Sequence, residues 1–114
     1  MKEYADQKPY IAEVTPAVGS TVMVDALPSE VVVRFSEPMS MNGYGMNWIQ
    51  RHGIEHIPIE GSLRWQDEYT LVIPLDTAAL EPGKTYGANL LGWAFRSQKG
   101  FPVSGYYEVY FTVR

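Results

Sequence analysis

The stretch Leu80-Glu81-Pro82-Gly83-Lys84-Thr85-Tyr86 constrains this chain more than any other. Pro82 presets φ near about −65° and Gly83 accepts positive φ, the combination a type II turn requires. Tyr86 then opens a strand-like run, residues 86–91, in which Tyr86, Ala88 and Leu90 share one face. Leu80 and the Tyr86 ring can pack together, and the phenol can reach back to the backbone of the turn. A corner pinned in this way belongs to a chain that brings two β layers face to face.

The remaining signals agree with that expectation. Residues 30–36 form the cleanest strand, with Val31, Val33 and Phe35 on one face and three β-branched residues in succession. Pro38 ends it and residues 37–45 read as a loop. Residues 46–51 form the next strand, with Met46, Trp48 and Gln50 together and Trp48 expected in the core between sheets. Residues 69–73 are a strand that Pro74 stops. Residues 106–114 close the chain, with Tyr107, Val109, Phe111 and Val113 aligned. Weaker strands are expected at 10–14, 22–24 and 62–65. Another at 54–60 is demoted to an edge by Pro58. Asp76 or Thr77 can cap one helical turn over residues 77–80. No long 3.6-residue period interrupts this series of short strands and turns, which is the pattern of an all-β sandwich.

Composition narrows the function. With 114 residues, 46% of them hydrophobic, one domain with a real core is expected over residues 9–114, behind a flexible polar tail at 1–8. The net charge of −4 and the lack of a basic run argue against a nucleic-acid partner. No apolar run approaches the roughly eighteen residues of a membrane span, so no membrane insertion is expected. Absence of cysteine removes disulfides, thiolate chemistry and cysteine-based zinc sites. His52 and His56 are four apart with Glu55 between them, but Gly53 and Pro58 indicate a turn into a strand. The order of a metalloprotease helix is also missing, so both histidines are expected to be solvated, with no metal or other cofactor. No Gly-x-Ser-x-Gly elbow is present. Glu37, Asp67 and Asp76 all lie beside turns, where carboxylates are ordinary surface groups. Without a nucleophile, base and orienter, no catalytic residue is assigned and the chain is not expected to be an enzyme.

The residues left for function are aromatic. Trp93, Phe95 and Phe101, with Tyr44 from another loop and Arg96 for charge contacts, would form a surface able to stack on sugar rings or peptide side chains. The competing reading folds Trp93, Phe95 and Phe101 back as a lid on the open end of the sandwich. The lid is the favoured reading, because large exposed apolar patches are uncommon.

Five stretches carry a resemblance to a known family. They are Ile11-x-x-Val14-x-Pro16 with Gly19-Ser20, and Val31-x-Val33-x-Phe35-Ser36-Glu37-Pro38-Met39. Then come Trp65-x-Asp67-x-x-Thr70-Leu71-x-Ile73, Leu80-x-Pro82-Gly83-x-x-Tyr86, and the closing Tyr110-Phe111-Thr112. In this order they resemble the bacterial Ig-like domains of the S-layer type. The resemblance implies an immunoglobulin-like β-sandwich of about seven antiparallel strands with Greek-key connections, pinned by a tyrosine corner. Phe35, Trp48, Leu80, Pro82, Gly83 and Tyr86 are then its structural residues. It further implies a non-catalytic accessory module of a larger secreted or cell-surface bacterial protein, extracellular or periplasmic, used for spacing, domain docking or adhesion. Its partners would be neighbouring domains of the same polypeptide or another protein. A carbohydrate- or peptide-binding module using the loop around residues 93–101 is the alternative. The chain departs from the family at residues 92–105, where many relatives carry an Asp-x-x-Gly-Asn turn.

Overall fold

A computed structural model describes residues 8–114, so the expected tail lies outside the described residues except for Lys8, which is exposed. The chain folds into two β-sheets packed as a sandwich. One sheet has four strands in the order β1-β3-β7-β6: β1 (Ile11–Thr15), β3 (Glu30–Phe35), β7 (Thr70–Pro74) and β6 (Arg64–Asp67). The other runs β2-β9-β8-β4: β2 (Ser20–Val22), β9 (Tyr106–Val113), β8 (Thr85–Leu91) and β4 (Met46–Asn47). The short β5 (Ile54–His56) pairs in parallel with the start of β8, on the same edge of that strand as β4. Pairing is antiparallel except for β5 with β8 and β2 with β9. Among the described residues no helix is long and apolar enough to cross a membrane.

The core follows from strand alternation. Val31, Val33 and Phe35 of β3 point inward, as do Leu71 and Ile73 of β7, and they meet Tyr86, Ala88 and Leu90 of β8 and Val109, Phe111 and Val113 of β9. At one end an aromatic cluster closes the layers. The Phe35 ring lies 5.4 Å from Trp65 and 5.5 Å from Phe95, and Trp65 meets Phe95 edge-on at 6.3 Å. Trp65 is anchored by donating its indole N–H to the Gly43 carbonyl at 3.0 Å.

The 80–86 corner is built around one hydroxyl. Tyr86 is buried, and its Oη accepts the Glu81 N–H at 2.9 Å while donating to the Ala79 carbonyl at 3.3 Å. Gly83 has φ +87° and donates its N–H to the Val113 carbonyl at 2.7 Å, tying the turn to the end of β9. Leu80 is buried beneath. A short 3-10 helix, Thr77–Ala79, precedes the corner, and neither Asp76 nor Thr77 caps it through a side chain. On the solvent side Lys84 Nζ bonds Glu81 at 3.1 Å and Glu55 at 3.2 Å; these bonds, led by Glu81, hold its pKa above the ordinary lysine value.

The expectation for Trp48 fails. Its side chain is 61% exposed. The strand expected at 46–51 ends after Asn47, so the inside-outside alternation that would carry Trp48 inward stops one residue earlier. The aromatic space between the sheets is filled by Phe35, Trp65 and Phe95 instead. Other boundaries shift by a few residues. β2 starts at Ser20 rather than Val22, and β6 continues through Asp67 across a register shift.

Tyr86→Phe keeps the ring and removes both hydroxyl bonds. Urea unfolding should show it less stable by about 1–2 kcal/mol with an unchanged denaturant slope. An unaltered midpoint would mean that the corner is held by packing alone.

Candidate functional site

The outward residues of the five-stranded sheet follow from the same alternation that builds the core. In β8 they are Thr85, Gly87, Asn89 and Leu91, standing opposite Thr112, Tyr110, Glu108 and Tyr106 of β9. Asn47 of β4 stands opposite Asn89. Asn47, Asn89 and Glu108 therefore form one row across three neighbouring strands.

Glycine at position 87 shapes what lies over this face. A Cβ there would come within 2.7 Å of Ile49 Cδ1, 2.7 Å of the Val109 carbonyl oxygen and 2.8 Å of Tyr110 Cβ. The missing side chain is the seat for Ile49, which is buried although it lies on the outer face. Residues 48–53, between β4 and β5, are thereby laid onto the sheet. Arg51 extends from this segment to Glu108, with Nη2 2.8 Å from Oε1, and its guanidinium lies 5.4 Å above the Tyr110 ring. Trp48 stacks almost parallel on His56, with centroids 5.1 Å apart and planes 7° apart. Its ring is thus supported from below while its upper surface faces solvent.

A second aromatic edge stands opposite. The short 3-10 helix Gly92–Ala94 leaves β8 and projects Trp93, which is 67% exposed. This helix is wedged against the 103–105 segment: a Cβ on Gly92 would meet the Val103 and Gly105 carbonyl oxygens at 2.3 Å, and the Gly92 N–H donates to Gly105 at 2.9 Å. Tyr106, 71% exposed, begins β9 beside it. Between the two edges lies an open cleft of about 550 Å³. Trp48, Gln50 and Arg51 form one wall, Trp93 and Tyr106 the other, and Asn47, Asn89, Leu91 and Glu108 the floor. The Oδ1 of Asn89 is shielded from solvent and has no hydrogen-bond partner among the described residues.

Of the residues expected to bind, only Trp93 reaches this cleft. Phe95 is 1% exposed and belongs to the core, because the tight turn at Gly92–Ala94 reverses the side on which the following residue falls. For Phe95 the lid is the structure found. Phe101 is half-buried, its backbone exchanging bonds with Ser97. Arg96 is exposed and donates to the Gly100 carbonyl at 3.1 Å, stiffening its own hairpin. Tyr44 lines a separate concavity of about 360 Å³ with Met41, Asn42, Leu63, Arg64 and Trp65. Sequence reasoning missed Trp48, Asn89 and Tyr106 as cleft residues. For Tyr106 a signal existed, since placing Tyr107 and Val109 inside leaves Tyr106 and Glu108 outside.

His52 is exposed and His56 lies under Trp48. Among the described residues no three histidine or carboxylate side chains gather in a metal-binding group. The cleft groups are amides, one closed ion pair and flat aromatic surfaces, equipped to hydrogen-bond and to stack. Comparison with known protein families and with curated proteins finds no match to this chain.

Two outcomes follow from these placements. Phe95→Ala should cost about 3–5 kcal/mol, as expected for a buried aromatic, whereas Trp93→Ala should stay within about 0.5 kcal/mol of the parent in urea unfolding. Similar losses for both would put Trp93 in the core. Gly87→Ala should destabilise by about 1–3 kcal/mol through overpacking and should increase hydrogen exchange across residues 48–53 as Ile49 is displaced. Unchanged exchange there would mean that the segment is held by the Arg51 contacts alone.

Proposed function

We propose that this chain is a non-catalytic accessory module of the bacterial Ig-like kind, part of a larger secreted or cell-surface protein, and that it acts in adhesion through the outer face of its five-stranded sheet. Strand order supports the immunoglobulin-like reading. Lettering β1, β3, β4, β6, β7, β8 and β9 as A to G groups A, B, E and D in one sheet and C, F and G in the other, as in the constant-type plan. The tyrosine at the start of strand F, with its hydroxyl on the backbone upstream, fits the same plan.

One observation favours adhesion over simple spacing: three large aromatics, Trp48, Trp93 and Tyr106, stand more than half exposed around one cleft. A spacer is served by the sandwich alone and gains nothing from such a rim. Exposed aromatic groups that converge mark binding surfaces, and a rim on regular strands and a wedged turn is rigid before binding.

Cosedimentation tests this reading. The chain should pellet with at least one of purified cell-wall sacculi, insoluble polysaccharide or fibrillar collagen, and Trp48→Ala with Trp93→Ala together should abolish pelleting while leaving the circular dichroism spectrum intact. Failure of the parent chain to pellet with any of them, or equal pelleting of the double variant, would refute it.

A further inference from the structure

We infer that the cleft between Trp48 and Trp93 takes an uncharged carbohydrate chain, with sugar rings laid against the aromatic walls and hydroxyl groups directed to the amide floor. This deepens the adhesive reading above and rests on it.

The distribution of polarity carries the argument. Protein–protein contacts concentrate apolar and aromatic groups at the centre and leave polar groups at the rim. Here the order is inverted, with aromatic rings on the walls and the polar row Asn47, Asn89 and Glu108 along the floor beside a single apolar residue, Leu91. A partner matching that inversion has apolar faces and a polar edge. A pyranose ring has this form, with C–H groups on its faces and hydroxyls around its perimeter. The electron-rich face of an indole attracts such weakly positive C–H groups.

Charge supports an uncharged ligand. Glu108 is already engaged by Arg51 at 2.8 Å, and the guanidinium is also drawn over Tyr110. An anionic ligand would have to compete with Glu108 for Arg51, and a cationic one would have to compete with Arg51 for Glu108. The groups left for hydrogen bonding are neutral: the Gln50 and Asn89 amides, the Asn47 amide, whose oxygen already accepts the Trp48 N–H at 2.8 Å, and the polar tips of the wall aromatics. The Asn89 Oδ1 has no bond among the described residues but is screened from solvent, so the amide must turn about its side-chain torsions to present it to a ligand hydroxyl.

Dimensions and rigidity agree. Three strands spaced about 4.8 Å apart set the floor row over roughly 10 Å, longer than a single ring needs. The volume of about 550 Å³ belongs to an ordinary small-ligand site and is open enough for a polymer to continue past it. Trp48 is braced by His56 and Trp93 by the wedged turn, so little side-chain freedom is lost when a ring docks.

The test titrates the full chain with cellohexaose, chitohexaose and xylohexaose, followed by tryptophan fluorescence and calorimetry, with a heparin hexasaccharide as the anionic probe. At least one neutral hexaose should saturate, and its disaccharide should bind more weakly. Trp93→Ala, Trp48→Ala and Asn89→Ala should each weaken binding by about tenfold or more. Near-parent unfolding midpoints would show that these variants remain folded. Absence of saturation by every neutral hexaose, saturation by heparin alone, or binding indifferent to all three variants would overturn the inference. If tryptophan-dependent pelleting with collagen persists in that case, the adhesive reading survives and only the carbohydrate assignment falls. If pelleting is lost as well, both fall.

Discussion

A single phenolic oxygen ties the turn that enters β8 to the core of the sandwich. The Tyr86 hydroxyl accepts a hydrogen bond from the Glu81 N–H and donates one to the Ala79 carbonyl, and its ring lies in the layer shared with Phe111. The turn leading into β8 is therefore fixed from inside the core. β8 in turn is flanked by β9 along one edge and by β4 and β5 along the other, so the five-stranded sheet takes its position from that strand. Both groups on the turn backbone would need other partners if the oxygen were removed.

The same strand organises the candidate site. Its inward residues make core and its outward residues make the cleft floor, so one alternation builds both. Gly87 is where the two uses meet. Its missing side chain admits Ile49 from above, and with Ile49 seated, the neighbouring Trp48 and Arg51 are placed over the sheet. A residue without a side chain thus decides where two side chains of the cleft wall stand. The wedged Gly92 does the same for Trp93 on the opposite wall.

This explains which parts of the molecule could be read in advance. β3, β7 and β9 were legible because alternation and β-branching are local signals, and the corner was legible because proline, glycine and tyrosine each have a narrow conformational use there. Trp48 was not, since its direction depends on where β4 stops pairing with β8, more than forty residues away in sequence. Trp93 and Phe95 posed a related difficulty. Two aromatics two residues apart would share a face on a strand, but the 3-10 turn between them sends one to solvent and the other into the core. Local pattern gives periodicity, whereas a break in periodicity is set by contacts with distant chain, here the carbonyls of Val103 and Gly105.

The split course of the N-terminal segment has a mechanical meaning. β1 joins the four-stranded sheet, and β2, after a turn, crosses to pair in parallel with β9. Chain entering β2 and chain leaving β9 consequently depart in opposite directions along adjacent strands. Tension between them loads their bonds together in shear, including Gly19 to Tyr110 at 2.8 Å, Arg114 to Val22 at 2.9 Å and Val24 to Arg114 at 2.6 Å. Hairpin strands pulled apart at one end would instead unzip bond by bond. A sandwich strung between other domains on a stretched polypeptide would in this arrangement resist at its terminal strands first, while the aromatic cleft on the same sheet remained shaped.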